Sequence, residues 1–399
     1  MTHEELKALL IRAEEAQNIG NYNEADKLAQ QVLDILLIGD MDDRDGNLLR
    51  ASTTNLLGVI AYRRSNYSIA LEFFTAALNI SNVLFDKEGI AKALGNIGAV
   101  HKDLSEYLLA LDYYAKAIAV DEELGNKSGV ARHLGNIGII YTSLSDYTLA
   151  LDYYAKALTA HEELGNKTSA ARVTGNIGNV YYILGNYPSA LEYGTKALEE
   201  HEKLGNQASV ARLTGNIGLV HWNLGNHSCA LEFFDKALTL HEKLGSRIDV
   251  AAVTGNIGNV YFALGDYSGA IEYFEKAHVA HKYLGDKAGA ARLSGNIGLV
   301  HLNLGNQSIA LEYLTEALST LEELGMRGDA ARVLGEIGNL HLSLSNYSSA
   351  LEYFSKAQSE LESLGMRADV ARTIGSIGSV YASIDFDGYE PEKAEEMLL

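Results

Sequence analysis

Gly175-Asn176-Ile177-Gly178 returns almost unchanged every 40 residues, as Gly95 to Gly98, Gly135 to Gly138, Gly215 to Gly218, Gly255 to Gly258 and Gly295 to Gly298. It drifts to Gly335-Glu336-Ile337-Gly338 and Gly375-Ser376-Ile377-Gly378, with a degenerate earlier copy at Asn55-Leu56-Leu57-Gly58. A fixed period of this size marks a stack of similar supersecondary units, each packed mainly on its neighbours. The expected architecture is a solenoid, and function is then to be sought on a repeated surface.

Residues 167 to 204 serve as a specimen unit. Ala170, Val173, Thr174, Ile177, Val180, Tyr181 and Leu184 recur at three- and four-residue spacing, the mark of an amphipathic helix. Gly185-Asn186 ends it, glycine being free to turn left-handed and asparagine able to cap the next helix. A second helix is expected from Tyr187 to Leu204, with Ala190, Leu191, Tyr193, Ala197, Leu198 and Leu204 on its apolar side. Pro188 stands in its first turn, where a missing amide costs nothing. Gly205-Asn206 stops this helix and the next unit begins.

Across its length the chain gives about ten antiparallel helix pairs in one elongated domain over residues 1–399. Residues 1–46 form a divergent first hairpin and an acidic loop from Gly39 to Gly46, with an offset to the next unit of 45 instead of 40. Residues 47–384 keep strict step. After Ser383 the phase slips, leaving 385–399 as an incomplete last helix that stops on Met397-Leu398-Leu399. Two expectations arise for that end: a longer natural protein, or a short helix that docks.

Composition excludes several function classes. No apolar run approaches the roughly 18 residues needed to span a membrane, and Met1-Thr2-His3-Glu4-Glu5 is acidic where a secretory signal is basic and then apolar. A cytoplasmic protein without membrane insertion is expected. The net charge of −20 repels nucleic acid, which is therefore not an expected partner. Cys229 is the single cysteine and has no thiol partner for a disulfide or zinc site.

Histidines fall in two columns. His161, His201, His241 and His281 sit a full repeat apart, roughly 10 Å for packed helices, too far to share a metal, and are expected on a solvated surface. His101, His221, His301 and His341 alternate with Tyr141, Tyr181 and Tyr261 and are expected half-buried in packing. Glu162-Glu163 and their equivalents read as a solvated rim. Nothing resembles a nucleophile with its base, so no enzyme, no metal and no cofactor is expected.

The columns Ile177, Gly178, Tyr181, Ala190, Gly194 (aromatic elsewhere, as Tyr154 or Phe234) and Ala197 carry a resemblance. They resemble the tetratricopeptide repeat signature, in phase over nearly the whole chain. The unit departs from that signature in being 40 residues long instead of 34. It also has Glu162, Glu202 or Glu242 where the late proline belongs. Both departures are similar to the lengthened repeats of kinesin light chains, Pins-type spindle adaptors and bacterial multi-repeat signalling proteins. The resemblance implies an all-α fold, an α-solenoid wound as a right-handed superhelix, whose first helices line a concave groove that holds peptides.

Two glycines per first helix cost roughly 1 kcal/mol each against alanine, so something must offset them. The Gly178 column is expected to let the second helix approach. The Gly175 column is expected to face the groove, where packing and backbone exposed to a ligand both remain open. A phosphate loop is excluded because these glycines are helical and no Gly-Lys-Ser/Thr comes after them.

Polar columns on the same helices share one face by their spacing. They are Arg132 with Asn136, Arg172 with Asn176 and Asn179, Arg212 with Asn216, Arg292 with Asn296, and Arg332 with Asn339, while Asn256 and Asn259 stand beside Ala252 instead of an arginine. Asparagine amides can bracket a peptide group and guanidiniums can fork onto carboxylates. Tyr182, Trp222, Phe262, Leu302 and Leu342 lie one turn on and would take apolar side chains. The competing reading makes asparagine a ladder between repeats and arginine a bridge to acidic neighbours. Similarity to co-chaperone repeats that clamp a terminal carboxylate is only partial, since the Gly175 column, Asn296 and Glu336 replace the clamp's basic residues.

The function expected from the resemblance is a scaffold binding an extended, acidic or amphipathic peptide of a protein partner. A second expectation is a regulatory region of a bacterial cyclase or histidine kinase with its catalytic domain beyond Leu399. A third is a structural spacer.

Overall fold

The computed structural model describes residues 1–38, 43–383, 387 and 389–398. Residues 39–42 of the acidic loop, Ile384 and parts of the expected phase slip lie outside the described residues. The contacts divide the chain into two compact units, Met1–Leu204 and Gly205–Leu399. Among the described residues every element is a helix.

In the first unit the pairs are α1 (His3–Asn18) with α2 (Tyr22–Ile38), α3 (Arg44–Arg63) with α4 (Tyr67–Leu84), α5 (Lys87–Asp103) with α6 (Tyr107–Glu123), α7 (Lys127–Ser143) with α8 (Tyr147–Glu163), and α9 (Lys167–Ile183) with α10 (Tyr187–Lys203). In the second they are α11 (Gln207–Asn223) with α12 (His227–Leu244), α13 (Arg247–Ala263) with α14 (Tyr267–Tyr283), α15 (Lys287–Asn303) with α16 (Gln307–Glu323), and α17 (Arg327–Ser343) with α18 (Tyr347–Ser363), followed by α19 (Arg367–Tyr381) and the short α20 (Pro391–Leu398). The short α20 packs on α19, with Met397 against the cluster around Ile377 and Val380.

Local chemistry sets these boundaries. Gly185 holds φ at +72°, and the Asn186 side chain accepts from the Ser189 amide at 3.3 Å, stopping α9 and starting α10. Ser145 takes the same turn at φ +60°, and Asp146 caps α8 at the Leu149 amide. Leu184 and Leu204, expected on the apolar faces, instead lie just past the helix ends and are about half exposed. Once the backbone turns there, the side chain leaves the helical stripe.

The core of most pairs is an alanine column and a ring, with Leu314 in place of the ring in α16 and Gly194 in α10. Ala230, Ala270 and Ala310 are fully buried, and Phe234, Phe274 and Phe354 are almost so. The Gly178 column explains how they fit. A Cβ on Gly138 would lie 2.6 Å from the Tyr154 ring, and one on Gly258 2.6 Å from that of Phe274. The bare backbone is the seat of the aromatic ring. In the one pair where Gly194 replaces the ring, the nearest atom is backbone, with the Gly194 nitrogen 3.2 Å from where a Gly178 Cβ would stand.

The Gly175 column does not open onto a groove as expected. Gly95, Gly135, Gly175, Gly255 and Gly295 are buried. A Cβ on Gly135 would meet Ala157 of α8 and Val173 of α9 at 3.9 Å, and one on Gly255 would meet Leu293 of α15 at 3.2 Å. The column faces the seam where a pair meets the first helix of the next.

These contacts give opposite signs for two alanine substitutions. Gly258→Ala relieves about 1 kcal/mol of helix cost but forces the Phe274 ring to move, and overpacking costs about 1–3 kcal/mol. Its thermal midpoint is expected to fall. Gly335→Ala meets nothing within 4 Å and is expected to gain roughly 0.5–1 kcal/mol. Thermal melts of the two variants, followed by circular dichroism, check both signs.

Candidate functional site

Within each unit, successive first helices touch: α3 on α5, α5 on α7 and α7 on α9 in one, α11 on α13 through to α17 on α19 in the other. Among the described residues of each unit, second helices of neighbouring pairs make no such contact. The first helices therefore form the tighter inner side of each unit, and that side carries the polar columns.

The guanidiniums on this face differ sharply between the units. In the second, Arg292 Nε lies 2.7 Å from Asp329, Arg332 reaches Asp329 at 3.4 Å and Asp369 at 3.1 Å, and Arg372 meets Asp369 at 3.2 Å. Arg292, Arg332 and Arg372 thus alternate with two carboxylates from one helix to the next. In the first unit, no carboxylate among the described residues stands within ion-pair distance of Arg132 or Arg172. Arg132 is exposed, with Nη2 3.4 Å from His133 Nε2, and Arg172 is half-buried. Arg212 is exposed and also partnered.

Asparagines behave unevenly too. Asn96 of α5 donates to Asn55 of α3 at 2.9 Å, and Asn296 of α15 to Asn259 of α13 at 3.2 Å, so at these steps amides tie neighbouring first helices together. Asn339 donates to Glu336 on its own helix at 3.1 Å, and burial raises the Glu336 carboxyl above its ordinary range. Asn136, Asn176 and Asn256 are half-buried on the same face, while Asn179 and Asn216 have partners. Tyr182 and Phe262 tilt onto Tyr187 and Tyr267 at the start of their own second helices, 6.1 and 5.7 Å between centroids. Trp222 packs on the cluster around Phe234. These half-buried rings wall the face from one side.

The profile of the tetratricopeptide repeat matches residues 49–123, 89–163, 128–203, 168–243, 207–278 and 249–323 in overlapping pairs of units. The chain belongs to the tetratricopeptide repeat family. No curated protein matches it in sequence. Among solved structures, the repeats resemble the apo form of RapI, at 16% identity over 90% of this chain and 98% of that one, with a TM-score of 0.71. They also resemble a Rap protein complexed with competence and sporulation factor, at 18% identity over 92% and 99%, with a TM-score of 0.62. A third is a signal transduction ATPase with a tetratricopeptide repeat sensor from Pyrococcus horikoshii, at 14% identity and a TM-score of 0.57. That match spans 94% of this chain and 52% of that one. At such identities the likeness is one of fold.

The repeats hold partners that a single unit's pattern does not reveal. Asp329 and Asp369 neutralise arginines 37 residues before them, in the preceding first helix. The column was readable, since it runs Gly129, Ser169, Ser209, Asp249, Gly289, Asp329, Asp369. Carboxylates dominate it only late in the chain.

The two histidine columns are packing elements of the repeat. His101, His221, His301 and His341 stack on the ring twelve residues on, as His221 does on Phe233 at 5.3 Å. His161, His201, His241 and His281 are buried, at 2%, 1%, 6% and 7% exposure, and not solvated as expected. Within each unit this column fills the seam between a second helix and the next first helix. His281 Nδ1, for example, reaches Asp286 Oδ2 at 2.8 Å and lies over Gly289. Leu321 and Leu361 in the same column carry the signal of burial.

Both ring nitrogens of His161 lack a hydrogen-bond partner, and burial, assisted by the Arg172 charge, holds its pKa below the ordinary value. The unfolded chain takes up that proton near pH 6.5, where the folded chain resists it. Stability is therefore full above that pH and lost as the pH falls below it. His161→Leu, which copies the residue that Leu321 and Leu361 supply in the same column, is expected to lose less stability than the wild type between about pH 7.5 and about pH 5. Denaturant titrations at the two pH values check it.

Proposed function

We propose that this tetratricopeptide repeat protein is a non-enzymatic scaffold that binds an extended, acidic or amphipathic segment of a protein partner on the inner face of its first helices. The observation that carries this reading is the pair Arg132 and Arg172, one repeat apart on the same column, without a carboxylate among the described residues to neutralise either. Packed helices stand roughly 10 Å apart, about three residues of extended chain. Guanidiniums at that interval suit carboxylates spaced along a strand. Asn136 and Asn176 lie beside them on the same helix face and offer amides to the ligand's backbone, with Tyr182 at the wall, while Asn179 already has a partner that a ligand would displace.

The remaining candidates enter with different weight. Trp222, Asn256 and Phe262 would extend the surface within the second unit, where Arg212 and Asn216 already have partners that a ligand would displace. Arg292, Arg332, Asn259, Asn296 and Asn339 already commit their hydrogen bonds to neighbouring groups of the chain, so a ligand there would have to displace them. Cytoplasmic residence without nucleic-acid binding belongs to the same proposal and is supported by the net charge of −20. Among the described residues no helix is long and apolar enough to cross a membrane.

A second reading is favoured by the ATPase neighbour, whose repeats are a sensor. Here the repeats would be the sensing region of a larger signalling protein, such as a cyclase or histidine kinase. The coding sequence after Leu399 decides between an effector domain and none.

The scaffold reading is tested with a positional-scanning hexapeptide library on the full chain. The wild type is expected to select aspartate or glutamate. Arg132→Ala with Arg172→Ala should weaken the selected peptides about tenfold or more, as for loss of charge-assisted hydrogen bonds. Arg292→Ala should leave them unchanged. Selection that ignores Arg132 and Arg172 overturns the proposal.

A further inference from the structure

A cleft in the first unit is lined by α1, α3, the end of α4 and the start of α5, on the same inner face as Lys92, Arg132 and Arg172. Its volume is about 540 Å³, within the range of small-ligand pockets, roughly 300–1,000 Å³. Repetition supplies an internal comparison for every residue around it, and at this place the repeat departs from its siblings. Ser81 stands where later units have Asp121, His161, His201, His241, His281, Leu321 and Leu361. The side chain that elsewhere fills the seam is here cut back to a hydroxymethyl group.

The lining of the cleft is chemically one-sided. Ser81 is 1% exposed, and its hydroxyl has no hydrogen-bond partner. Asp86 occupies the cap position of α5 without making a cap hydrogen bond. The equivalent Asn126, Asn166 and Asn206 all accept from the amide three residues on. The Asp86 carboxylate therefore keeps its acceptor capacity. Asp86 Oδ2 and Ser81 Oγ each lie 2.3 Å from the point where a Gly89 Cβ would stand, so the two oxygens converge on one spot over the first turn of α5. Glu14 and Glu88 add two further carboxylates to the lining. Lys92 is the one cation among the lining residues, and it is tied to Glu88 at 2.8 Å.

Three carboxylates against one ammonium leave the cleft negative. The amino-terminal end of α5 contributes about half a positive charge, which Asp86 alone more than offsets. An anion is thus repelled here although it is attracted two helices away. Leu48, Leu56 and Val59 give the cleft an apolar wall. The geometry points to a cationic group on an aliphatic stem, an ammonium that donates to Asp86 and Ser81 while its methylenes lie on that wall. Burial of the stem and the charge-assisted hydrogen bonds both favour it.

That this ammonium belongs to a peptide rests on the scaffold reading above. On that reading, six extended residues, roughly 20 Å, reach from α5 to α9. The ligand then runs with its cationic group at the α1–α3–α5 cleft and its carboxylates toward Arg132 and Arg172. The inner face of the first unit is polar along its length and reads ligand direction.

Two substitutions restore what neighbouring repeats carry, so neither threatens the fold. Ser81→His fills the cleft with the side chain of His161. Asp86→Asn removes the charge and supplies the cap of Asn126. The positional-scanning hexapeptide library is applied to the full chain, once with free amino termini and once acetylated. The wild type is expected to select lysine or arginine, or a free amino terminus, at one end of the peptide. Selection of lysine within acetylated peptides assigns the ammonium to a side chain, and selection confined to free termini assigns it to the terminus. Either variant should lower that preference about tenfold or more, whereas Arg172→Ala should keep it and lose the acidic one. Cationic selection unchanged in Ser81→His and Asp86→Asn overturns the inference. Acidic selection alone overturns it and leaves the scaffold reading standing. Cationic selection without an acidic one upholds the cleft and removes that reading, and the absence of any selected peptide removes both.

Discussion

The contact on which the rest depends is that between the Gly178 column and the second helix of the same pair. A helical glycine costs roughly 1 kcal/mol, while burying an aromatic side chain contributes about 1.5–3 kcal/mol. The exchange is favourable in each pair that carries the ring, and it sets how closely the two helices lie. Gly58 under Phe74, Gly138 under Tyr154 and Gly338 under Phe354 are the same joint repeated. The pair containing Gly194 tests the rule by exception. With the ring deleted, a Cβ on Gly178 would still meet the α10 backbone, the Gly194 nitrogen at 3.2 Å, so close approach holds there too. Everything on the inner face inherits its register from this joint, because the first helix can turn only one side toward its partner.

With that side buried, the opposite side of each first helix is left for polar columns, and there the repeats cease to be interchangeable. Arg292, Arg332 and Arg372 are held by Asp329 and Asp369, whereas the positions corresponding to those carboxylates near Arg132 and Arg172 are serines, Ser169 and Ser209. A solenoid permits this because each unit's stability depends on itself and its neighbours. The arginines of these ion pairs are exposed while Asp329 is half-buried and Asp369 buried. The effect of the pairs is to remove positive potential from the second unit's inner face and to leave it concentrated on the first.

How much of this could be read from the amino acids depends on the range of the interactions involved. Helix ends were legible almost to the residue, since Gly185-Asn186 and its copies combine a left-handed turn with a cap, both local. The seat at Gly178 was legible as close approach between helices of one pair. The seam was not. His161 is followed by Glu162 and Glu163, and a polar run at a helix end reads as surface. Its burial comes from the next first helix, and only the leucines at 321 and 361 betray it. For the Gly175 column the packing reading holds and the groove-facing one does not, for the same reason, its neighbours being Ala and Val side chains of other helices, as Ala157 and Val173 are for Gly135. Among the candidate ligand contacts, the arginine column was legible as a face, but which arginines are already engaged was set by a carboxylate 37 residues on. That distance has no meaning until successive first helices are known to touch.

The junction between α4 and α5 shows what such a stack can bear. Between Ser81 and Asp86 stands Phe85, left-handed at φ +54° and 85% exposed, where later units place Gly125, Gly165 or Gly205. A bulky side chain there costs of order 1 kcal/mol or more, and the missing cap at Asp86 costs about as much again. In a single globular core, such costs within six positions would draw on one shared margin of stability. Here the joints on either side, Gly58 with Phe74 and Gly98 with Tyr114, are intact and confine the loss to one turn. Irregularity is thus least costly where two sound joints flank it, and the cleft between α1, α3 and α5 occupies such a place. The same reasoning explains why its residues escape the period: a repeat is recognised by what its copies share, and a site confined to one copy is written in what they do not.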